Sequence, residues 1–394
     1  MTDHSTAVSI ELQTLRDACP LLVSQTYLAN CSQGPLAAPV RAAIETFLGD
    51  WATLGMHWNA WIDEVERARA VFARLIGAEP SEIAVGTSVS QLVDSLASAL
   101  VAGPPANQRT IISSRAEFPG VAHAWLATRK IKGWQVELLE ENANGTVDTE
   151  QFVEAIDGST ALISAPQVCY ANGNLLDLDA IIAAAHANGA FVFVDAYQSI
   201  GTLPIDVKAS QIDFLAAGTL KYLLGTAGIA FMYVNPAVLD QLEPTVTGWF
   251  GRTNIFAFDP GLLDYAASAA RFDLGTPPII NAYTARAGME LIEATGPARI
   301  RQQIERLSAV AYELAPRLGL QIGGPQEIAR KGATTAITIG SVEKAHWLED
   351  ELRKRAIVVS ARGKALRVAP HGFTRADEIE RALEAIAQLL HQAN

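Results

Sequence analysis

The chain is 394 residues long, with 49% hydrophobic residues, 18% charged residues and a mean hydropathy of +0.17. This composition is too apolar for a disordered chain and lacks the bias of fibrous proteins. The length indicates two or three domains, or one large enzyme body with a smaller appendage. The 30 basic residues against 42 acidic ones give a formal net charge of -12, which disfavours nucleic acid as a partner.

The cysteines and histidines indicate neither disulfides nor a metal site. Cys19, Cys31 and Cys169 have no C-x-x-C or Cys/His spacing, and the 7 histidines are scattered. Residues 1–5 carry an acid where a signal peptide needs a basic and then an apolar run, and we find no stretch of eighteen apolar residues. We therefore expect a cytoplasmic protein with no membrane span and no metal.

Short apolar runs alternate with helical stretches from about residue 80 to residue 235. This pattern predicts an α/β fold with a mostly parallel sheet and crossover helices. Several runs lack period-2 alternation, as strands buried on both faces do. In chain order, the predicted strands are 82–85, 109–113, 160–164, 190–195, 212–216 and 228–234, and the helices between them are 90–100, 121–129 and 178–188. Gly189 is a natural cap for the last of these helices.

After residue 235, the alternation of apolar runs and helical stretches ends. Residues 236–280 are rich in loops and punctuated by prolines, and one long helical stretch is predicted over 282–318. Two short apolar segments, 335–338 and 365–369, and a last helix over 375–390 follow. We therefore predict an N-terminal arm plus a large α/β domain over residues 1–280, and a smaller α+β domain over residues 281–394.

Two reactive side chains lie at the carboxyl ends of predicted strands. Asp195 ends one strand, and Lys221 comes just after the next. In an open α/β sheet this edge forms the ligand crevice. A lysine that can form a Schiff base and an acid that can pair with a pyridinium nitrogen are what pyridoxal phosphate needs. Strand-end acids and exposed lysines are also common in proteins without that cofactor.

Two further segments fit the same cofactor. Gly86, Thr87 and Ser88 follow a predicted strand and open a helix, where amides and hydroxyls bind phosphate. An ordinary helix N-cap would have the same residues. Phe118 lies at the same sheet edge and could stack on a cofactor ring, although a Phe before a Pro often serves plain packing.

The run from Asp195 to Gly201, followed by Gly218-Thr-Leu-Lys221-Tyr-Leu and a glycine-rich stretch, resembles the class V aminotransferase superfamily of fold type I pyridoxal-phosphate enzymes. This superfamily includes cysteine desulfurases, kynureninases and isopenicillin N epimerase-like proteins. The resemblance extends over nearly the whole chain and includes segments at 27–30, 86–87, 117–118, 248–251, 271–277 and 366–368. It implies the fold type I architecture, pyridoxal 5′-phosphate as cofactor, an α-amino acid as substrate and a homodimer.

The resemblance also implies the roles of individual residues. Lys221 would form the Schiff base and move protons at the substrate α-carbon, and Asp195 would pair with the ring nitrogen. Gln198 would approach the phenolic oxygen of the cofactor, and Phe118 would stack on its ring. The remaining candidates are Gly86, Thr87, Thr219, Trp249 and, from the other subunit, Thr276 for the phosphate, and Arg367 and Asn30 for the substrate.

Several departures from the family pattern bear on the reaction. Leu220 stands where desulfurases usually have His and kynureninases often Tyr, and Gln167 stands in a segment where relatives tend to show His and Asn. Cys31 and Cys169 fall near the pocket by alignment, where small apolar fillers are the simpler explanation. No cysteine follows Cys169, which disfavours a desulfurase because that reaction needs a thiol on the loop before the carboxylate-binding arginine.

The segments at 248–251 and 272–278 look most like the kynureninase branch, although Gln198 and Gln167 stand where kynureninases often carry histidines. We therefore expect a lyase or hydrolase that cleaves an amino acid at the β or γ position. A class V aminotransferase or an epimerase is the alternative. A non-catalytic α/β scaffold is an interpretation from another class, which the presence of Lys221 and Asp195 disfavours.

Overall fold

The computed structural model of the chain describes residues 9–102 and 107–392. Residues 1–5, on which the signal-peptide argument rests, lie outside the described residues. The outer ends of the two predicted domains, at 1 and at 394, lie outside them as well. Within the described ranges, no helix is long and apolar enough to span a membrane.

In the described part of the chain, the strands form a seven-stranded, a four-stranded and a two-stranded sheet. The strands are β1 (Thr26–Tyr27), β2 (Ile83–Gly86), β3 (Thr110–Ser114), β4 (Gln135–Leu139), β5 (Thr160–Pro166), β6 (Phe191–Asp195), β7 (Phe214–Gly218), β8 (Ala230–Val234), β9 (Gln321–Gly323), β10 (Thr335–Thr338), β11 (Ile357–Val358), β12 (Ser360–Arg362) and β13 (Ala365–Val368). The α-helices are α1 (Ile10–Asp17), α2 (Ala38–Leu54), α3 (Trp58–Leu75), α4 (Val89–Ala102), α5 (Pro119–Thr128), α6 (Thr149–Ala155), α7 (Leu178–Ala187), α8 (Pro236–Leu239), α9 (Ile279–Thr295), α10 (Pro297–Arg317), α11 (Val342–Lys354) and α12 (Ala376–Gln392).

The seven-stranded sheet has the strand order β2-β8-β7-β6-β5-β3-β4. β8 is antiparallel to both of its neighbours, and the pairs from β7 to β4 are parallel. The mostly parallel sheet predicted from the sequence is confirmed. Each predicted strand lies within two residues of the observed one at either end.

Helices cover both faces of this sheet because its central strands are apolar on both sides. In β6, Val192 and Val194 belong to a buried cluster that also contains Phe72 of α3. Phe193 belongs to the cluster on the other face, where its ring centroid lies 5.6 Å from that of Trp125 of α5. Burial on both faces explains why the strand lacks alternation.

The carboxyl ends of the strands bring the predicted site residues to one edge. β6 ends at Asp195, beside the end of β5. Gly86 of β2 and Gly218 of β7 both pair with Ala230 of β8, so they lie at one level of the sheet. Lys221 lies in the loop that follows β7. Sheet register therefore places these residues on the side where α/β sheets bind ligands.

The single long helix predicted over 282–318 is wrong, because the chain forms two helices there. Gly296 has a φ of +89°, a left-handed conformation that favours glycine, and its N–H caps α9 through the carbonyl of Ile292. Pro297 opens α10 at its first turn, where the missing N–H has no cost.

Strand β4 was not predicted. It lies at the edge of the sheet, and none of its residues is fully buried. Because only part of an edge strand needs to be apolar, Gln135-Val-Glu-Leu-Leu lacks the continuous apolar run by which the central strands were identified.

The four-stranded sheet has the order β12-β13-β10-β9 and is antiparallel. Residues of α10, α11 and α12 pack with it in a third buried cluster. The α+β character predicted for the tail is confirmed. The domain boundary at 280 stays a proposal, and α9, which begins at that boundary, packs on α2 and α3.

The N-terminal segment packs against the C-terminal part of the chain. β1 pairs in parallel with β11, and Ala29 forms a parallel bridge with Ala369. Arg16 of α1 forms a salt bridge with Glu378 of α12, with 3.0 Å between Nη1 and Oε2. Residues that precede the large domain are thereby held against the end of the chain.

Candidate functional site

Lys221 lies in an enclosed aromatic setting at the sheet edge. Its Nζ is 4.1 Å from the ring centroid of Tyr197 and 5.5 Å from that of Phe118. Burial lowers the pKa of Lys221 from 10.5 to about 8, and the negative charge of Asp195 only partly opposes this shift. A fraction of the amine is therefore uncharged near neutral pH, as a nucleophilic lysine requires.

Asp195 is buried beside a second acid, Glu117. Asp195 Oδ1 accepts a hydrogen bond from the N–H of Tyr197 at 2.8 Å, and the two carboxyl groups are hydrogen-bonded to each other. Burial raises the pKa of both acids, and the charge of Asp195 raises the pKa of Glu117 further. Lys221 favours the charged form of Asp195.

Tyr197 packs directly over the end of β7. A Cβ atom on Gly218 would lie 2.1 Å from Tyr197 Oη, so only glycine leaves room for the phenol ring. Tyr197 is thus held between Gly218 and the amine of Lys221. The sequence contains no signal for this contact, because the two residues belong to neighbouring strand ends that meet only in the folded sheet.

Gly86 and Thr87 lie at the N-terminus of α4. A Cβ on Gly86 would lie 2.8 Å from Cγ of Leu92, so the turn needs glycine. The backbone N–H and the hydroxyl of Thr87 both donate to Oε1 of Gln91. This amide oxygen takes the position of an anionic oxygen acceptor, and a phosphate oxygen could accept the same two hydrogen bonds.

The weaker phosphate candidates lie in different surroundings. The hydroxyl of Thr219 is buried and donates to the carbonyl of Thr226 at 3.2 Å, within its own loop. Trp249 packs against Phe250, with ring centroids 4.3 Å apart. Thr276 is exposed, as a residue that extends to another subunit would be. Their roles remain proposals.

The segment around Cys31 covers the lysine loop. Gln198 Nε2 donates to the carbonyl of Cys31 at 3.0 Å, and the N–H of Gly34 donates to the carbonyl of Leu220 at 2.8 Å. A Cβ on Gly34 would lie 2.5 Å from the carbonyl oxygen of Lys221, so this approach also needs glycine. The segment that directly follows residues 27–30 therefore packs against the loop of Lys221 and against Gln198.

Arg367 is a buried cation with neutral partners. Its Nη1 donates to the carbonyl of Tyr170 at 2.9 Å, and its Nη2 donates to the hydroxyls of Ser32 and Ser360, each at 2.7 Å. Within residues 9–102 and 107–392, no salt bridge joins Arg367 to a carboxylate. Its charge is therefore available to an incoming carboxylate. Asn30 is anchored two residues further along the chain than Arg367, where its Nδ2 donates to the carbonyl of Ala369 at 2.8 Å.

Phe118 and the cysteines complete the surroundings. Phe118 is 41% exposed at the N-cap of α5, and its ring meets that of Tyr170 edge to face, with centroids 5.3 Å apart. Cys31 and Cys169 are buried free thiols, and burial raises the pKa of Cys169 to about 11. An un-ionised buried thiol agrees with a filler role.

The residues present fit pyridoxal phosphate, because several buried polar atoms at this edge have no partner. They are Oε1 of Gln198, Oε1 of Gln167, Oδ1 of Asn30 and Nε of Arg367. Gln167 borders the acid, since its N–H donates to the carbonyl of Asp195 at 3.0 Å. Buried polar atoms normally have partners, and the polar groups of a cofactor and an amino acid would supply them.

A family model described as aminotransferase class-V matches residues 26–376. An aminotransferase of Bacillus subtilis (strain 168), named YcbU and described as uncharacterized, is 36% identical over 372 residues, which are 94% of this chain and 96% of that protein. The kynureninase of Geobacillus thermodenitrificans (strain NG80-2) is 25% identical over 400 residues, covering 97% of this chain and 92% of that protein.

Solved structures share the architecture at lower identity. The apo cysteine desulfurase from Thermococcus onnurineus NA1 has a TM-score of 0.86 at 22% identity, covering 96% of this chain and 98% of that chain. The cystine C–S lyase C-DES, in complex with cysteine persulfide, has a TM-score of 0.83 at 20% identity, covering 93% and 98%. These likenesses confirm the predicted fold.

Proposed function

Because the chain belongs to the class V aminotransferase family and uses pyridoxal phosphate as its cofactor, we propose that it is a lyase or hydrolase that cleaves an α-amino acid at the β or γ position. When bound, pyridoxal phosphate supplies an electron sink for a carbanion at the substrate α-carbon. The side chains of this protein would hold the cofactor, orient the substrate and move protons.

We assign the cofactor contacts from the geometry of the sheet edge. Lys221 would hold the cofactor covalently and then accept the proton at the substrate α-carbon, which its lowered pKa of about 8 favours. Asp195 would pair with the ring nitrogen, and the amide nitrogen of Gln198, which donates to the carbonyl of Cys31, would donate to the phenolic oxygen. The donors of Thr87 and the approach allowed by Gly86 support phosphate binding at α4.

The substrate carboxylate would bind Arg367. Its guanidinium is buried and bonded only to hydroxyl and carbonyl oxygens. A guanidinium can bind a carboxylate through two parallel hydrogen bonds. The unpartnered Oδ1 of Asn30 would accept a hydrogen bond from the substrate or from a bridging water.

The observation that carries the cleavage proposal is the position of Tyr170. Its ring lies edge to face against Phe118, and its backbone carbonyl accepts a hydrogen bond from Arg367, so Tyr170 contacts both the proposed ring-stacking residue and the proposed carboxylate-binding residue. Burial raises the pKa of Tyr170, which keeps the phenol protonated at neutral pH. A protonated phenol there could donate to a departing side chain. The matches to kynureninases add support.

Transamination is the second candidate. The 36% identical relative from Bacillus subtilis is named an aminotransferase, and that identity exceeds the identity to the kynureninase. The reaction requires only that Lys221 return a proton to the cofactor. An epimerase would need proton donors on both faces of the α-carbon.

The covalent role of Lys221 is tested by colour and reduction. The purified protein with cofactor should be yellow, since an imine between lysine and cofactor is a conjugated chromophore. Borohydride should bleach it, and peptide mapping should place the adduct on Lys221. A colourless protein, or an adduct on another lysine, would refute the assignment.

The reaction class is tested with a panel of amino acids, each incubated with and without a keto-acid acceptor. Cleavage products should form without acceptor, and Tyr170→Phe should slow their release while leaving the colour unchanged. Product that appears only with acceptor, together with accumulating pyridoxamine phosphate, would overturn the cleavage proposal in favour of transamination.

A further inference from the structure

A buried acid that has no part in the proposed catalytic steps faces Asp195. Glu117 lies between β3 and α5 and is 3% exposed, while Asp195 is 5% exposed. The two carboxyl groups are hydrogen-bonded to each other. Two carboxylates in contact away from water cannot both be ionised. The pair therefore shares one proton.

The surroundings decide which acid holds that proton. The positive charge of Lys221 and the N–H of Tyr197 both favour the anion of Asp195. For Glu117, burial and the charge of Asp195 oppose ionisation. They outweigh the hydrogen bonds donated by the Phe118 N–H and the Ser164 hydroxyl, since the pKa of Glu117 is raised well above its ordinary value. The proton therefore belongs on Glu117. Its other titratable neighbour is the buried thiol of Cys169.

Glu117 is held in place by a chain of hydrogen bonds from the core. The indole N–H of Trp125 donates to Oγ of Ser164 at 2.8 Å, which leaves the hydroxyl hydrogen of Ser164 to donate to Oε2 of Glu117 at 3.2 Å. The N–H of Phe118 donates to Oε1 of Glu117 at 2.8 Å. Both oxygens of Glu117 are thus fixed beside Asp195.

We propose that Glu117 is a positioning residue, kept as a neutral acid, that donates a hydrogen bond to Asp195 and so keeps Asp195 an anion towards the cofactor's ring nitrogen. The inference rests on the proposed role of Asp195. A hydrogen bond donated to a carboxylate makes it a weaker base. A second proton, between Asp195 and the ring nitrogen, would then stay on the nitrogen, and the protonated ring is the state that withdraws electrons.

Two variants of Glu117 separate this role from packing. E117Q keeps a neutral side chain with an N–H donor, and E117L keeps most of the volume without a donor. In E117L, kcat should fall by about ten- to a hundredfold, the size of one hydrogen bond to a charged group, while KM changes little. E117Q should recover most of the lost rate.

A spectroscopic signal reports the same proton without turnover. The cofactor is labelled with nitrogen-15 at the ring nitrogen. The chemical shift of that nitrogen should move towards the value of an unprotonated pyridine in E117L and should not move in E117Q. Asp213 is the matched control. It is a buried acid at the amino ends of β6 and β7, away from the proposed site, and it is bonded to His186 and to the N–H of Val192. D213N should change neither the shift nor kcat.

The protonation of Glu117 can be observed in the full chain without cofactor. The infrared spectrum at pH 7 should contain a protonated carboxylic acid band that is missing from E117Q. Absence of that band from the unmodified protein, or equal losses of rate in E117Q and E117L, would overturn the inference. Failure of the proposed cleavage is distinguishable, since it would appear as product that forms only with a keto-acid acceptor.

Discussion

At the scale of single residues, Arg367 has the surroundings that the proposed binding of a carboxylate requires. All of its hydrogen-bond acceptors are neutral oxygens, and Nε has none. A buried guanidinium in such surroundings gains more from a carboxylate than an exposed one would, because water competes less.

Arg367→Lys should raise KM for any amino acid that the enzyme accepts, because lysine keeps the charge but loses the two-pronged geometry. The expected loss is about 2–3 kcal/mol, that of a charged hydrogen-bonded contact. Cofactor absorbance should not change. Steady-state kinetics checks this, with Arg362→Lys as the control. Should KM rise only in the Arg362 variant, the carboxylate site belongs there.

Lys331 offers a pH prediction. It is 1% exposed, and its Nζ donates to Ser308 Oγ at 2.9 Å and to the Gly332 carbonyl at 3.0 Å. Burial and nearby Arg301 lower the pKa of Lys331 from 10.5 to about 7. Between these values the unfolded chain binds a proton that the folded chain does not, so stability rises with pH by up to about 1.4 kcal/mol per pH unit.

Lys331→Met should remove this contribution. The free energy of unfolding, measured in urea from pH 7 to pH 10, should rise less steeply with pH in the variant. Between pH 10 and pH 7, the free energy of unfolding should therefore fall less in the variant than in the unmodified protein. Parallel curves for the two proteins would show that Lys331 does not titrate in this window.

At the scale of elements, strand β2 depends on a loop far away in sequence. Asp273 accepts a hydrogen bond from the N–H of Val85 at 2.7 Å and forms a salt bridge with Arg69 of α3 at 2.8 Å, and both charged side chains are buried. Asp273 thus joins strand, helix and loop at one point. Removing it would leave the buried Arg69 with Glu66, whose side chain is 53% exposed, as its remaining acidic partner.

Asp273→Ala should therefore destabilise the protein by about 3–5 kcal/mol, the usual cost of breaking a buried ion pair. Glu293→Ala, which breaks the exposed pair with Arg74, should cost less than about 1 kcal/mol. Urea midpoints measure both. Similar midpoints for the two variants would contradict the importance assigned to burial.

The sequence predicts elements well where local patterns are strong and poorly where they are weak. The central strands were identified because both of their faces are apolar, whereas β4 at the edge was not. The break between α9 and α10 depends on one glycine and one proline within an otherwise helical pattern. When the hydrophobic pattern is averaged over a long window of residues, one glycine and one proline change it too little for the break to be detected.

The same distinction between strong and weak local patterns applies to the residues of the candidate site. Asp195 and Lys221 could be predicted because they follow apolar strands within a recognisable motif. Ser32 and Ser360 could not, because they bind Arg367 from positions 335 and 7 residues away, and no local signal links them. Glu117 was noticed as part of a motif, but its pairing with Asp195 depends on sheet register.

At the scale of the whole molecule, we propose a homodimer. The loop-rich region exposes Phe256, Phe258, Leu262 and Leu263 at 51%, 73%, 54% and 65%. Side chains of this kind, grouped within one short segment, are typical of an interface. Thr276 is exposed in the same region, which agrees with its proposed contribution to the phosphate site of the other subunit.

Sedimentation should therefore give the mass of two chains. Replacing Phe258 and Leu263 together by Asp should yield monomers, since a charge is costly to bury in an apolar interface. Activity should fall with the mass, because each pocket would lose the partner's Thr276. A fully active monomer would contradict both the dimer and the role of Thr276.

The pairing of β1 with β11 also joins segments that the ribosome synthesises far apart in time. Asn30 and Ala369 are 339 positions apart, and a ribosome adds about 5–20 residues per second, so the early segment waits tens of seconds for its partner. By then the lysine, the acid and the seven-stranded sheet have long been translated. A chain stalled before residue 357 would carry the groups proposed to hold the cofactor without the pocket proposed to receive the substrate.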